Sequence, residues 1–136
     1  MNNVFIIAEA GVNHNGNLDL AFKLCDKAKE AGVDAIKFQT WITENIVTKT
    51  ANLASYQEKN IVSKSDSQFQ MLKRLELSFN DFIEIKKYCS NIGLDFLSTP
   101  DDYESLDFLA GLNLNFLKIG SGEVTNIPYL RKIGAK

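Results

Sequence analysis

The chain is 136 residues long, with 45% apolar and 24% charged residues, a net charge of -2 and a pI near 5.4. That composition suits one globular domain, and no Lys/Arg-rich run supplies the electrostatic footprint of a nucleic-acid binder. No apolar stretch approaches the ~20 residues needed to cross a bilayer; FIIAEAG (5–11) is too short for a signal peptide's apolar region, so no membrane contact and a cytoplasmic location are expected.

FIIAEAGVNHNG (5–16) opens the chain as a short apolar strand with a polar tip. In Leu18–Ala31 the apolar residues Leu18, Ala21, Phe22, Cys25 and Ala28 recur at helical spacing, and Asn17 fits an N-cap. AGVDAIKFQT (31–40) is a second strand, introduced by a glycine able to end a helix in the left-handed conformation. From Trp41 to about Phe79 runs an insert far longer than the usual 2–6 residues. Phe69, Leu72 and Leu75 predict a helix in part of it, while Tyr56, Gln57, Gln68 and Gln70 give it a polar, adaptable surface suited to a binding loop.

Asp81–Ile92 reads as a helix on Phe82, Ile83, Ile85, Tyr88, Cys89 and Ile92, and IGLDFLSTP (92–100) as a third strand. Asp101-x-x-Glu104 has capping-box spacing for the next helix, closed by Gly111. AGLNLNFLKIGSGE (110–123) reads as a fourth strand, and a last helix begins near Asn126-Ile-Pro128. Cys25 and Cys89 lie on helical patterns outside any C-x-x-C and read as small buried hydrophobes.

The nearly continuous apolar runs mark strands covered on both faces, hence a parallel sheet. The order β-α-β-(insert)-α-β-α-β-α supplies the first four units of a (β/α)8 TIM barrel, which needs ~250 residues. Residues 1–136 are therefore expected to be the N-terminal portion of a longer barrel. A doubly wound sheet is the alternative, although the first turn lacks a G-x-G-x-x-G or P-loop spacing.

Both architectures bind ligands at the C-terminal strand ends. Those ends carry Glu9 and Asn13-His14-Asn15, then Lys37, Gln39 and Thr40, then Ser98 and Thr99, then Lys118, Ser121 and Glu123. Two lysines in one mouth repel unless an anion lies between them. Thr99, Ser121 and the N–H groups of Gly120 and Gly122 suit phosphate oxygens, so the pattern reads as a phosphate or phosphate-plus-carboxylate site. Alternatively each lysine pairs with a carboxylate such as Glu9 or Glu123. Glu9 and Glu123 can accept bonds from substrate hydroxyls or move protons. His14, the only histidine, reads as structural or substrate-facing; Trp41 and Phe38 read as wall and core.

EAGVNHNG (9–16), IKFQT (36–40), LSTP (97–100) and KIGSGEVTNIPYL (118–130) together resemble the N-terminal half of the sialic acid synthase family, the N-acetylneuraminate synthases and the similar legionaminic and pseudaminic acid synthases. The resemblance implies a (β/α)8 barrel that condenses phosphoenolpyruvate with N-acetylmannosamine or a related amino sugar, giving a nonulosonate and phosphate. It further implies a small antifreeze-like domain, a homodimer, and a divalent metal (manganese or magnesium) held by two histidines of the barrel's second half, so no metal is expected on this chain alone. By resemblance, Lys37, Lys118, Thr99 and Ser121 hold phosphoenolpyruvate, and Glu9, Gln39 and Glu123 face the sugar and reacting centre. The match departs at Asp101, where relatives often carry phenylalanine. As 136 residues the chain is expected to be inactive. A Schiff-base aldolase using Lys118 or Lys37 and a non-catalytic half-barrel binding module are the rival readings.

Overall fold

The computed structural model describes residues 4–51 and 67–136. Tyr56 and Gln57 of the expected adaptable surface lie outside the described residues. In chain order the elements are β1 (Ile7–Gly11), α1 (Leu18–Glu30), β2 (Ala35–Thr40), α2 (Thr43–Ile46), α3 (Gln68–Leu75), α4 (Phe79–Ile92), β3 (Asp95–Pro100), α5 (Tyr103–Gly111), a 3-10 turn (Ser121–Glu123) and α6 (Ile127–Gly134).

The strands form one parallel sheet in the order β1-β2-β3. Ala35 stands opposite Ile7 on one side and Asp95 on the other, so the three strands start level. Glu9 pairs with Lys37, but Gly11 rather than Ala10 pairs with Phe38. This is a bulge of one residue, made possible by Gly11 at φ 51.

Strand alternation then sorts the side chains. Ile36, Phe38 and Thr40 are buried on the helix-covered face, while Lys37 and Gln39 lie half-buried on the other. Against the first face pack Ala21, Cys25 and Ala28 of α1 and Phe82, Ile85 and Cys89 of α4. Each large apolar side chain buried this way stabilises the fold by roughly 1.5–3 kcal/mol. The two sulfurs lie 3.5 Å apart as free thiols, both buried.

The helices begin where their caps are satisfied. Asn17 accepts from Leu20 N–H at 2.9 Å, and Ser67 and Ser78 each close a capping box. Gly32 (φ 75) and Gly93 (φ 66) turn the chain out of α1 and α4 in the left-handed region. No described helix is long and apolar enough to cross a membrane.

Two expectations change. The cap of α5 is Asp102, not Asp101: its carboxylate accepts from both Glu104 and Ser105 N–H at 2.9 Å. The expected fourth strand forms no ladder; residues 114–120 run beside the sheet without strand pairing. Here Asn113 (φ 52), not Gly111, takes the left-handed turn. The segment is tied by Asn115 to Asp95 (3.1 Å) and by ring contact of Phe116 with Phe5, 5.7 Å between centroids. Phe116 remains 56% exposed, so the apolar run lacks the two-sided cover that holds a parallel strand.

Candidate active site

The parallel register of β1 and β2 sets Glu9 beside Lys37, just before the bulge, and their side chains form an ion pair. Lys37 is well covered, at 13% side-chain exposure, and Glu9 is open at 54%. For Lys37 the structure thus realises the carboxylate-pair alternative. One strand across, Gln39 stands opposite Thr99, which is buried. Thr99 is covered by the backbone at Gly120, where a β-carbon would lie 3.5 Å from Thr99 Cγ2 and 3.8 Å from Asp101 Oδ1. That approach brings the Ser121–Glu123 turn to the β3 tip.

Glu123 is half-buried and accepts from Asn126 Nδ2 at 2.7 Å. Asn126 also accepts from Tyr129 N–H, so one residue both caps α6 and holds the Glu123 carboxylate. Ser121 is exposed. Lys118 is exposed too, its ammonium donating to the Ile119 carbonyl at 2.5 Å rather than joining Lys37. The structure therefore gathers Glu9, Lys37, Gln39, Thr99 and Glu123 at one end of the sheet, with Ser121 at the rim and Lys118 turned onto its own backbone.

Further groups complete this end, of which the sequence singles out Glu123 as a site residue and Asp101 only as a departure from the family pattern. A cavity of about 520 Å³ opens beside the β3 tip, lined by Asn45, Asp101, Asp102, Glu123, Asn126 and Tyr129 among others. Asp102 is fully engaged: besides capping α5 it accepts from Ser105 Oγ (2.6 Å) and Ile42 N–H (2.8 Å). Tyr129 is buried and donates to the Pro100 carbonyl at 2.7 Å; burial, then the charges of Asp101 and Glu123, pushes its hydroxyl above the ordinary range. Asp101 differs. Its N–H is fixed to the Thr40 carbonyl at 3.0 Å, yet its carboxyl has no hydrogen bond or ion pair among the described residues. Burial, the Asp102 charge and the Glu123 charge push it up to about 6, with Lys37 opposing. The available signal was the Asp-Asp doublet directly after a strand, which capping logic absorbed.

His14 takes the structural role. It is fully buried beside Phe38, 6.0 Å between ring centroids, on the helix-covered side of the sheet. Its Nδ1 accepts from Gly16 N–H at 3.1 Å, its Nε2 is unpartnered, and burial lowers its pKa. Trp41 is core, donating to Thr43 Oγ1 at 3.1 Å. Among the described residues no group of three or more His, Cys, Asp or Glu is placed to hold a metal ion, so these residues alone do not fit a divalent cation.

Residues 24–136 match the NeuB family. The chain is 50% identical over 132 residues to the N,N'-diacetyllegionaminic acid synthase of Legionella pneumophila, covering 97% of this chain and 37% of that one. The enzyme of the same name from Campylobacter jejuni is 46% identical, over 98% and 40%. Human N-acetylneuraminate-9-phosphate synthase is 36% identical, over 97% and 36%. The crystal structure of N-acetylneuraminic acid synthetase from Leptospira borgpetersenii superposes with a TM-score of 0.74 at 32% identity, over 95% of this chain and 40% of that one. The chain thus spans about two fifths of the length of these relatives.

Proposed function

The chain belongs to the NeuB family, and from that premise we propose that it is the N-terminal part of a phosphoenolpyruvate-dependent nonulosonate synthase. The observation that carries this reading is the convergence of Glu9, Lys37, Gln39, Thr99 and the Ser121–Glu123 turn at one end of a parallel sheet. In the assembled (β/α)8 barrel the 114–120 segment becomes the fourth strand, and its Lys118 turns inward.

In this reaction C3 of phosphoenolpyruvate attacks the aldehyde carbon of an open-chain amino sugar, and positive charge develops at C2. Water adds there, and the tetrahedral species releases phosphate by C–O cleavage. Lys37 and Lys118, with Thr99 and Ser121, hold the phosphate and carboxylate, which favours the charge-separated transition state. Glu123, held by Asn126, orients the sugar or the attacking water; Glu9 holds Lys37 in place and faces the reacting centre with Gln39. A divalent cation would polarise the aldehyde as a Lewis acid and would take its ligands from residues outside 1–136. The assembled enzyme is a cytoplasmic homodimer, and residues 1–136 alone are inactive.

Phosphate release from phosphoenolpyruvate with N-acetylmannosamine and with its 2,4-diacetamido relative tests the reaction on the protein complete with any flanking residues. Glu123→Gln should lose most turnover and keep phosphoenolpyruvate affinity; unchanged turnover would remove Glu123 from the reacting centre. Borohydride trapping with pyruvate separates the rival: a covalent adduct on Lys118 or Lys37 would make the protein a Schiff-base aldolase instead.

A further inference from the structure

The two aspartates that follow β3 face opposite fates. Asp102 is 6% exposed, and both of its oxygens are committed to α5 and the Ile42 N–H. Asp101, one residue earlier, has no such partner. Its backbone is fixed by the bond to Thr40, and its carboxyl lines the 520 Å³ cavity, within the range of sites that enclose small ligands.

Among the described residues none donates a hydrogen bond to the Asp101 carboxyl. From α5 it faces Asp102, Tyr103 and Glu104; from the 3-10 turn, Glu123; from α6, Tyr129; and from β2, the opposing charge of Lys37. Tyr129 donates its hydroxyl to Pro100, Asn126 donates to Glu123, and Lys37 is paired with Glu9. A half-buried carboxyl without a protein donor keeps only the water that reaches it, so a ligand that brings its own donors is favoured there. An amino sugar carries hydroxyl and amide N–H donors, and phosphoenolpyruvate, an anion, carries charges that Asp101 repels.

We propose that Asp101 determines sugar recognition at this site, accepting as a carboxylate a hydrogen bond from a hydroxyl or amide N–H of the amino sugar. The inference rests on the synthase reading above. Asp101 ionises as pH rises through about 6, so sugar capture rises over the same interval and then levels.

The test uses the complete protein with Asp101→Ala and Asp101→Asn, measuring kcat/KM for the amino sugar and KM for phosphoenolpyruvate from pH 5 to 8. Loss of a charge-assisted bond should lower the sugar kcat/KM of Asp101→Ala by roughly tenfold to a hundredfold. KM for phosphoenolpyruvate should stay put, and the acidic limb near pH 6 should vanish in Asp101→Asn. Thermal unfolding guards against a merely structural effect: Asp102→Ala should lower Tm, and neither Asp101 variant should. Sugar kcat/KM and an acidic limb that match wild type in both variants would overturn the proposal alone. A wild type that releases no phosphate with either amino sugar would overturn the synthase reading and this proposal with it.

Discussion

Replacing Asp101 by Asn should stabilise the protein at neutral pH, by an amount that depends on pH in a defined way. Asp101 has its folded-state pKa pushed from 3.8 up to about 6. A raised carboxylate pKa means that the folded state holds the proton more tightly than the unfolded chain does. Its contribution to stability is therefore full below pH 3.8 and lost as pH rises through about 6. A shift of about two units at 1.36 kcal/mol each gives on the order of 3 kcal/mol, and solvent reaching this half-buried group trims that to about 2–3 kcal/mol. Asn keeps the shape and discards the charge. The Tm of Asp101→Asn minus that of wild type should be several degrees positive at pH 7, shrink through pH 5 and approach zero near pH 4. Scanning calorimetry of both proteins across that range measures the difference directly. A difference of the same size at every pH, or one of opposite sign at pH 7, would refute the reasoning, because only an ionisation penalty carries that pH signature.

Two further outcomes follow from backbone and core. Gly16 has φ 69, and a β-carbon there would sit 2.1 Å from the Arg74 carbonyl oxygen, whereas at Gly32 (φ 75) nothing lies within 4 Å. Gly32→Ala should cost about 1–2 kcal/mol for left-handed backbone alone, and Gly16→Ala more than ~3 kcal/mol or soluble expression altogether; equal costs in denaturant titration would disprove the contact. The Cys89 thiol is pushed far up by its hydrogen bond with Cys25 and by burial. Mass mapping after Ellman's reagent at pH 8 should find both cysteines unmodified in folded protein and both modified in urea, and rapid labelling of the folded form would contradict their burial.

The parts of this fold set by local chemistry were legible beforehand. Continuous apolar runs and helical period placed β1, β2 and β3 and their helices, and Asn17, Gly32, Gly93 and Pro128 marked boundaries within a residue or two. The strand-end positions of Glu9, Lys37, Gln39 and Thr99 followed from the polar residues that close each apolar run. What escaped depends on partners distant in sequence. Whether 114–120 becomes a strand is decided by cover on both its faces, which no local pattern encodes. Whether Lys37 meets a ligand or Glu9 depends on the register of the neighbouring strand. The division of labour between Asp101 and Asp102 turns on which carboxylate reaches Ser105 N–H, and the two residue types are identical in sequence.

The one-residue bulge in β1 also breaks the alternation of that strand at its C-terminal end. Up to Glu9, odd positions of β1 face the site and even ones face the helices; the unpaired residue before Gly11 resets the count. Beyond Gly11 the chain leaves the strand in a turn that tucks His14 under the helices, and the loop carrying it closes against α3 at Gly16. Deleting Ala10 would leave composition and hydropathy almost untouched, yet it would remove the bulge and move the entry to that turn by one residue. In this region the frame in which residues are counted, as much as their identity, sets where the strand hands over to the loop.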